Sequence, residues 1–86
     1  MAAPLNPETV QQELCSAILT LLALDAGAVT PDTPLRTLGI DSLRFVSLML
    51  TIERQFGVSL MKGGLRRADM ESVRTLAALV VQRSQG

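Results

Sequence analysis

The stretch Asp41-Ser42-Leu43-Arg44-Phe45-Val46-Ser47-Leu48-Met49-Leu50-Thr51-Ile52-Glu53-Arg54-Gln55-Phe56-Gly57 decides the fold. Asp41 or Ser42 can cap a helix start, and Gly57 suits its stop, so a helix is predicted over 42–56. Two stripes run along it. Phe45, Leu48, Met49, Ile52 and Phe56 recur at helical spacing, and so do Leu43, Val46, Ser47, Leu50 and Arg54. The stripes are offset by two positions, about 200° on a helix of 3.6 residues per turn, so they face opposite ways. The first is wholly apolar and holds both aromatic residues of the chain, which assigns it to a core. The second leaves Leu43, Val46 and Leu50 at the surface beside Arg44 and Ser47, a docking face for a protein partner. The competing reading buries both faces, as in a central bundle helix.

Outward from this helix, Asn6-Pro7-Glu8 reads as an earlier helix start: a cap, a proline at the first helical position and an acid for the dipole. Val10, Leu14, Ala17, Ile18 and Leu21 then repeat at helical spacing, widened by Leu19 and Leu22. This first helix is placed near 7–24, with Gly27 as its stop. Residues 27–40 form a long loop, because Pro31 and Pro34 each remove a donor and bias the residue before them. Leu35, Leu38 and Ile40 predict that the loop packs over the core. After Gly57, the double glycine Gly63-Gly64 breaks the pattern, and a short helical turn is placed near 64–68. Ser72 caps a last helix over 73–83 whose inward stripe is Val73, Leu76, Ala77 and Val80. The sum is an all-α single domain: a four-helix bundle, three helices long and one short, with a long first connection.

Composition narrows the chemistry. In 86 residues there is no His, Trp or Tyr, and Cys15 is the sole cysteine. A Cys/His zinc site, a Ser/His or Cys/His nucleophile pair and a disulfide framework are all excluded within one chain. Eight basic and eight acidic residues sum to zero, which argues against a nucleic-acid partner. No apolar run is long enough to span a membrane. Met1-Ala2-Ala3-Pro4 lacks a basic leader region, so a cytoplasmic location and a monomeric chain are the expectations. A chain of this length buries only about 60% of its unfolded surface, so its core is modest. Cys15 reads as a small core or boundary residue, and Met49, Met61 and Met70 as packing residues. Lys62, Arg66 and Arg67 make a basic cluster, read as a solvated surface or as a contact for an acidic partner or a phosphate.

The remaining constellation is Leu38-Gly39-Ile40-Asp41-Ser42-Leu43, a hydroxyl at a helix N-terminus after a glycine turn. From spacing alone, Asp41 and Ser42 are helix caps. The sequence resembles the acyl carrier and peptidyl carrier superfamily, through this signature and through Val46, Leu48, Ile52-Glu53, Phe56-Gly57-Val58 and the Ser72-Val73 helix start. The resemblance implies a carrier rather than an enzyme. It implies that Ser42 bears a 4′-phosphopantetheine arm, installed from coenzyme A and magnesium by a phosphopantetheinyl transferase. It implies that Asp41 helps the transferase place its metal. It also implies that Leu43, Arg44, Val46, Ser47 and Leu50 occupy positions facing loading, synthase and tailoring enzymes. A phosphate there would meet free N–H groups and the positive end of the helix dipole. Fatty-acid carriers are strongly acidic and often carry acids where Arg44 and Ser47 stand. A neutral chain departs from them, which favours a dedicated pathway and docking that is more apolar and less salt-sensitive. The cargo implied is an acyl group on a free-standing carrier; the alternatives are an aminoacyl or peptidyl cargo, or a helical interaction module with no cofactor.

Overall fold

A computed structural model describes residues 6–85, the side chain of Gln85 excepted. It contains α1 (Pro7–Leu22), a 3-10 turn (Leu35–Leu38), α2 (Ser42–Phe56), α3 (Leu60–Gly63), a second 3-10 turn (Arg67–Met70) and α4 (Val73–Gln85). No strand occurs among the described residues; one isolated bridge joins Pro34 to Ser72.

Local sequence explains each start. The Asn6 side chain accepts the Glu8 N–H at 2.8 Å, with Pro7 at the first helical position of α1. Asp41 does the same for α2, accepting the Arg44 N–H at 2.8 Å. Ser72 and Thr75 cap α4 reciprocally: the Ser72 N–H donates to Thr75 Oγ1 at 3.0 Å and the Thr75 N–H to Ser72 Oγ at 3.3 Å.

The ends are less regular. α1 stops at Leu22, two residues before the expected boundary, because Ala23 takes the left-handed conformation (φ 55°). Its N–H reaches back to Thr20, and that of Leu24 to Leu19, closing the last turn. Gly27, expected as the stop, belongs instead to a separate turn in which the Ala28 N–H donates to the Asp25 carbonyl. The short helix expected at 64–68 lies earlier, at Leu60–Gly63, and 67–70 is a 3-10 turn. Leu60 is the buried anchor of α3, whose far end meets Arg83 of α4. The Arg83 guanidinium donates to the carbonyls of Gly63 at 3.1 Å and Gly64 at 2.6 Å, where a Cβ on Gly63 would collide with it. α4 runs on to Gln85, beyond the expected 83.

α1 packs against α2 and α4, and its Val10, Leu14 and Ile18 are fully buried with Leu48 and Ile52 of α2 and Leu76 and Val80 of α4. The connection from α1 to α2 joins this core through Val29 and Leu35. It is fastened to α4 by Arg74, whose N–H donates to the Pro31 carbonyl at 2.8 Å and whose side chain pairs with Asp32 at 3.0 Å. The radius of gyration is 12.0 Å, matching the value of about 12 Å for a folded chain of this length, so the loop is laid down and not extended. Of the three methionines expected to pack, Met49 is buried and Met70 half-buried. Met61 is exposed, because a single-turn helix has one inward position and Leu60 holds it.

Candidate functional site

The first 3-10 turn ends on Gly39 in the left-handed conformation (φ 68°), which reverses the chain into Ile40 and Asp41. Asp41 is the cap residue immediately before the helix, and its carbonyl accepts the Phe45 N–H at 2.8 Å. Its two carboxylate oxygens are divided. Oδ1 takes the Arg44 N–H and Oδ2 pairs with the Arg44 guanidinium at 3.1 Å. Both side chains are at least half exposed, so this pair adds little to stability and exchanges readily.

Ser42 follows as the first residue of α2 and is exposed. Among the described residues, its hydroxyl and the N–H groups of Ser42 and Leu43 have no hydrogen-bond partner. The first turn of any helix leaves such donors free, and Asp41 satisfies only the third. The arrangement offers an accessible oxygen nucleophile beside donors and a dipole end suited to an anion. No base is set on that oxygen: the chain has no His, its one lysine lies on α3, and the neighbouring Asp41 carboxylate is engaged by Arg44. These residues fit a phosphodiester carried on Ser42 and do not fit hydrolysis by this chain alone.

The two stripes of α2 separate as their spacing predicts. Leu48, Met49 and Ile52 are buried and Phe45 and Phe56 half-buried against the core. Leu43, Val46 and Leu50 are 76%, 46% and 53% exposed, so the reading in which both faces are buried fails. Ser47 is half-buried, its carbonyl accepting the Thr51 hydroxyl at 2.9 Å, and Arg44 is exposed. The structure thus puts Leu43, Val46 and Leu50 on one open face starting one residue after Ser42.

An unforeseen groove of about 670 Å³ borders the same helix start. Leu35, Ile40, Phe45 and Met70 give it apolar walls, with Arg36, Arg67, Asp32 and Glu71 among its lining. No sequence spacing pointed to it, because its walls come from segments about thirty positions apart that meet only in the fold. The expected basic cluster divides: Arg66 pairs with Asp69 at 3.8 Å, Arg67 faces the groove and Lys62 stands exposed on α3. Cys15 is half-buried against the core, and desolvation holds its thiol pKa above the ordinary range, opposite to what a reactive thiol needs.

Comparison with known proteins bears on this geometry. Residues 12–80 match the family described as "phosphopantetheine attachment site". A curated relative, acyl carrier protein 1, chloroplastic, from Casuarina glauca, is 40% identical over 55 residues. That alignment covers 63% of this chain and 40% of the relative, so the chain spans well under half of the relative's length. No solved structure gives a significant match. Members of the matched family are carriers and not catalysts, and work with a phosphopantetheinyl transferase and further enzymes. Because the match takes in α2, α3 and most of α1 and α4, this chain belongs to the phosphopantetheine attachment family and carries 4′-phosphopantetheine as a covalent group.

Proposed function

We propose that Ser42 is the attachment point, and that the chain tethers acyl intermediates and presents them in turn to the enzymes of a fatty-acid, polyketide or related pathway. The observation that carries the assignment is the exposed, unbonded hydroxyl of Ser42 at the head of α2, inside the matched region. The acyl reading is supported by the relative named as an acyl carrier protein.

The group supplies, when bound, a thiol on a flexible arm that holds cargo as a thioester. The work of this chain is at the other end. Ser42 Oγ attacks the β-phosphorus of coenzyme A and gives its proton to a base of the transferase; the pyrophosphate P–O bond breaks, adenosine 3′,5′-bisphosphate leaves, and a phosphodiester remains on the serine. The N–H groups of Ser42 and Leu43 then face that anion, at the positive end of the α2 dipole. Asp41 keeps Oδ1 on the Arg44 N–H, which fixes the helix start. Its Oδ2, held only by the exposed Arg44 guanidinium, would be the oxygen available to a metal supplied by the transferase. Leu43, Val46 and Leu50, with Arg44 and Ser47, form the docking face next to the arm. Tethering raises the concentration of cargo at whichever enzyme is docked.

The test is incubation with coenzyme A, magnesium and a broad-specificity phosphopantetheinyl transferase, read by intact mass. The expected result is one added phosphopantetheine, abolished in Ser42→Ala. Modification that persists in that variant overturns the serine assignment. Offering the modified chain to purified acyl-loading and adenylating enzymes then separates cargoes. Acylation supports the acyl-carrier reading, and exclusive aminoacylation replaces it with a peptidyl-type carrier.

A further inference from the structure

The zero net charge conceals a strong segregation. Residues 1–35 hold Glu8, Glu13, Asp25 and Asp32 and no cation. Residues 36–67 hold six cations against Asp41 and Glu53, and residues 68–86 hold two of each sign. The charge along the chain is therefore −4, then +4, then 0. The positive segment contains α2 and its uncovered apolar strip.

All six of its cations are exposed. Arg44 and Arg66 pair with Asp41 and Asp69. Arg36, Arg54, Lys62 and Arg67 meet no carboxylate within ion-pair distance among the described residues. Their positions matter. Arg54 falls on the outward stripe with Leu43, Val46 and Leu50, by helical spacing. Arg36 and Arg67 line the groove together with Ile40 and Phe45, which flank Ser42 in the chain, and with two carboxylates, Asp32, which is paired with Arg74, and Glu71. Cations without internal partners on the segment that carries the open apolar strip are unrelieved in the free chain, and a surface of opposite sign relieves them.

We propose that the partner surface recognised by α2 is an apolar patch rimmed with carboxylates, so that docking is driven by attraction between this basic rim and an acidic protein. The inference rests on the carrier reading for the identity of its users, but the surface chemistry is independent of it. It revises the expectation drawn from net charge alone: association is salt-sensitive, with the cations on the carrier side.

Two amphipathic helical peptides sharing one leucine face, flanked by glutamates in one and lysines in the other, serve as probes. Each is titrated into the full chain, in apo form and with its arm installed, and followed by amide NMR. The glutamate peptide is expected to bind about tenfold tighter at low ionic strength. It should shift the amides of Leu43, Val46, Leu50 and Arg54. Its advantage should vanish between about 0.01 M and about 1 M salt, as the screening length falls from about 30 to about 3 Å. The double variant Arg54→Glu/Arg67→Glu, checked for unchanged helical circular dichroism, should reverse the preference; both sites are exposed. Equal affinities, tighter binding of the lysine peptide, binding of neither, or shifts confined to α1 each overturn the proposal. Transferase loading of the same sample keeps the two readings apart. A loaded chain with no peptide preference removes this inference alone, and an unloaded chain with the preference removes only the carrier assignment.

Discussion

Leu48 and Leu50 stand two residues apart on α2 and share a side chain, yet one is wholly buried and the other 53% exposed. The inner face of the helix is where the fold is made. Leu48, Met49 and Ile52 close the core against α1 and α4. The outer face leaves Leu43, Val46 and Leu50 uncovered while the helix remains equally regular. Hydrophobic side chains on the two faces therefore do different work: one set holds the domain together, and the other is free for association. A small domain has little margin to leave apolar surface open, so the outer strip calls for a function.

The comparison breaks most sharply under charge. Leu48→Asp should unfold the chain, because a carboxylate without a partner in that core is very costly, whereas Leu50→Asp or Leu43→Asp should keep native circular dichroism and lose transfer to partner enzymes. A folded Leu48→Asp chain, or an unfolded Leu50→Asp chain, would reverse the faces. Truncation grades the same contrast. Leu48→Ala should cost about 2–5 kcal/mol in denaturant unfolding, and Leu50→Ala no more than about 0.5 kcal/mol.

How far this contrast can be read without a structure depends on its range. The facing of α2 follows from spacing within fifteen residues, and so do the caps Asn6, Asp41 and Ser72, whose partners are two or three positions away. The place of Ser42 at an exposed helix start was legible for the same reason, and the chemistry proposed for it comes from the family signature around it. What escaped was long-range. The end of α1 is set by Ala23 adopting a conformation that glycine usually takes, and nothing in the neighbouring residues demands it. The end of α3 is tied to Arg83, twenty residues on, and the groove is made by the meeting of two distant 3-10 turns. The charge segregation is plain in the order of the residues but is lost when cations and anions are merely summed.

Smaller changes sharpen the picture at the helix start and at the loop. Asp41→Ala removes the cap of α2 and should lower stability by about 1 kcal/mol in chemical denaturation, loosening the turn that presents Ser42. Asp32→Asn cuts the exposed pair with Arg74 that ties the long loop to α4; a loss of about 0.2–1 kcal/mol, shrinking with salt, is expected. Cys15 gives the slightest effect. Its folded pKa lies above the unfolded one, through desolvation, so its contribution is fully present below the unfolded pKa. Stability should decline as pH rises past the ordinary thiol range toward the raised value. Alkylation of the native chain in that alkaline window should be slower than after unfolding, and equal rates would remove the claim.

Arg83 has one last consequence. Its guanidinium spans from the closing helix to the two glycine carbonyls beyond Leu60, so the shortest helix is clasped by a residue near the far end of the polypeptide. Trimming the chain back to a point before Arg83 would spare every apolar anchor of the core, Leu60 included, and would release only the glycine end of α3. Shortening there therefore costs the protein a cationic hook at its surface and leaves the oil-like interior whole.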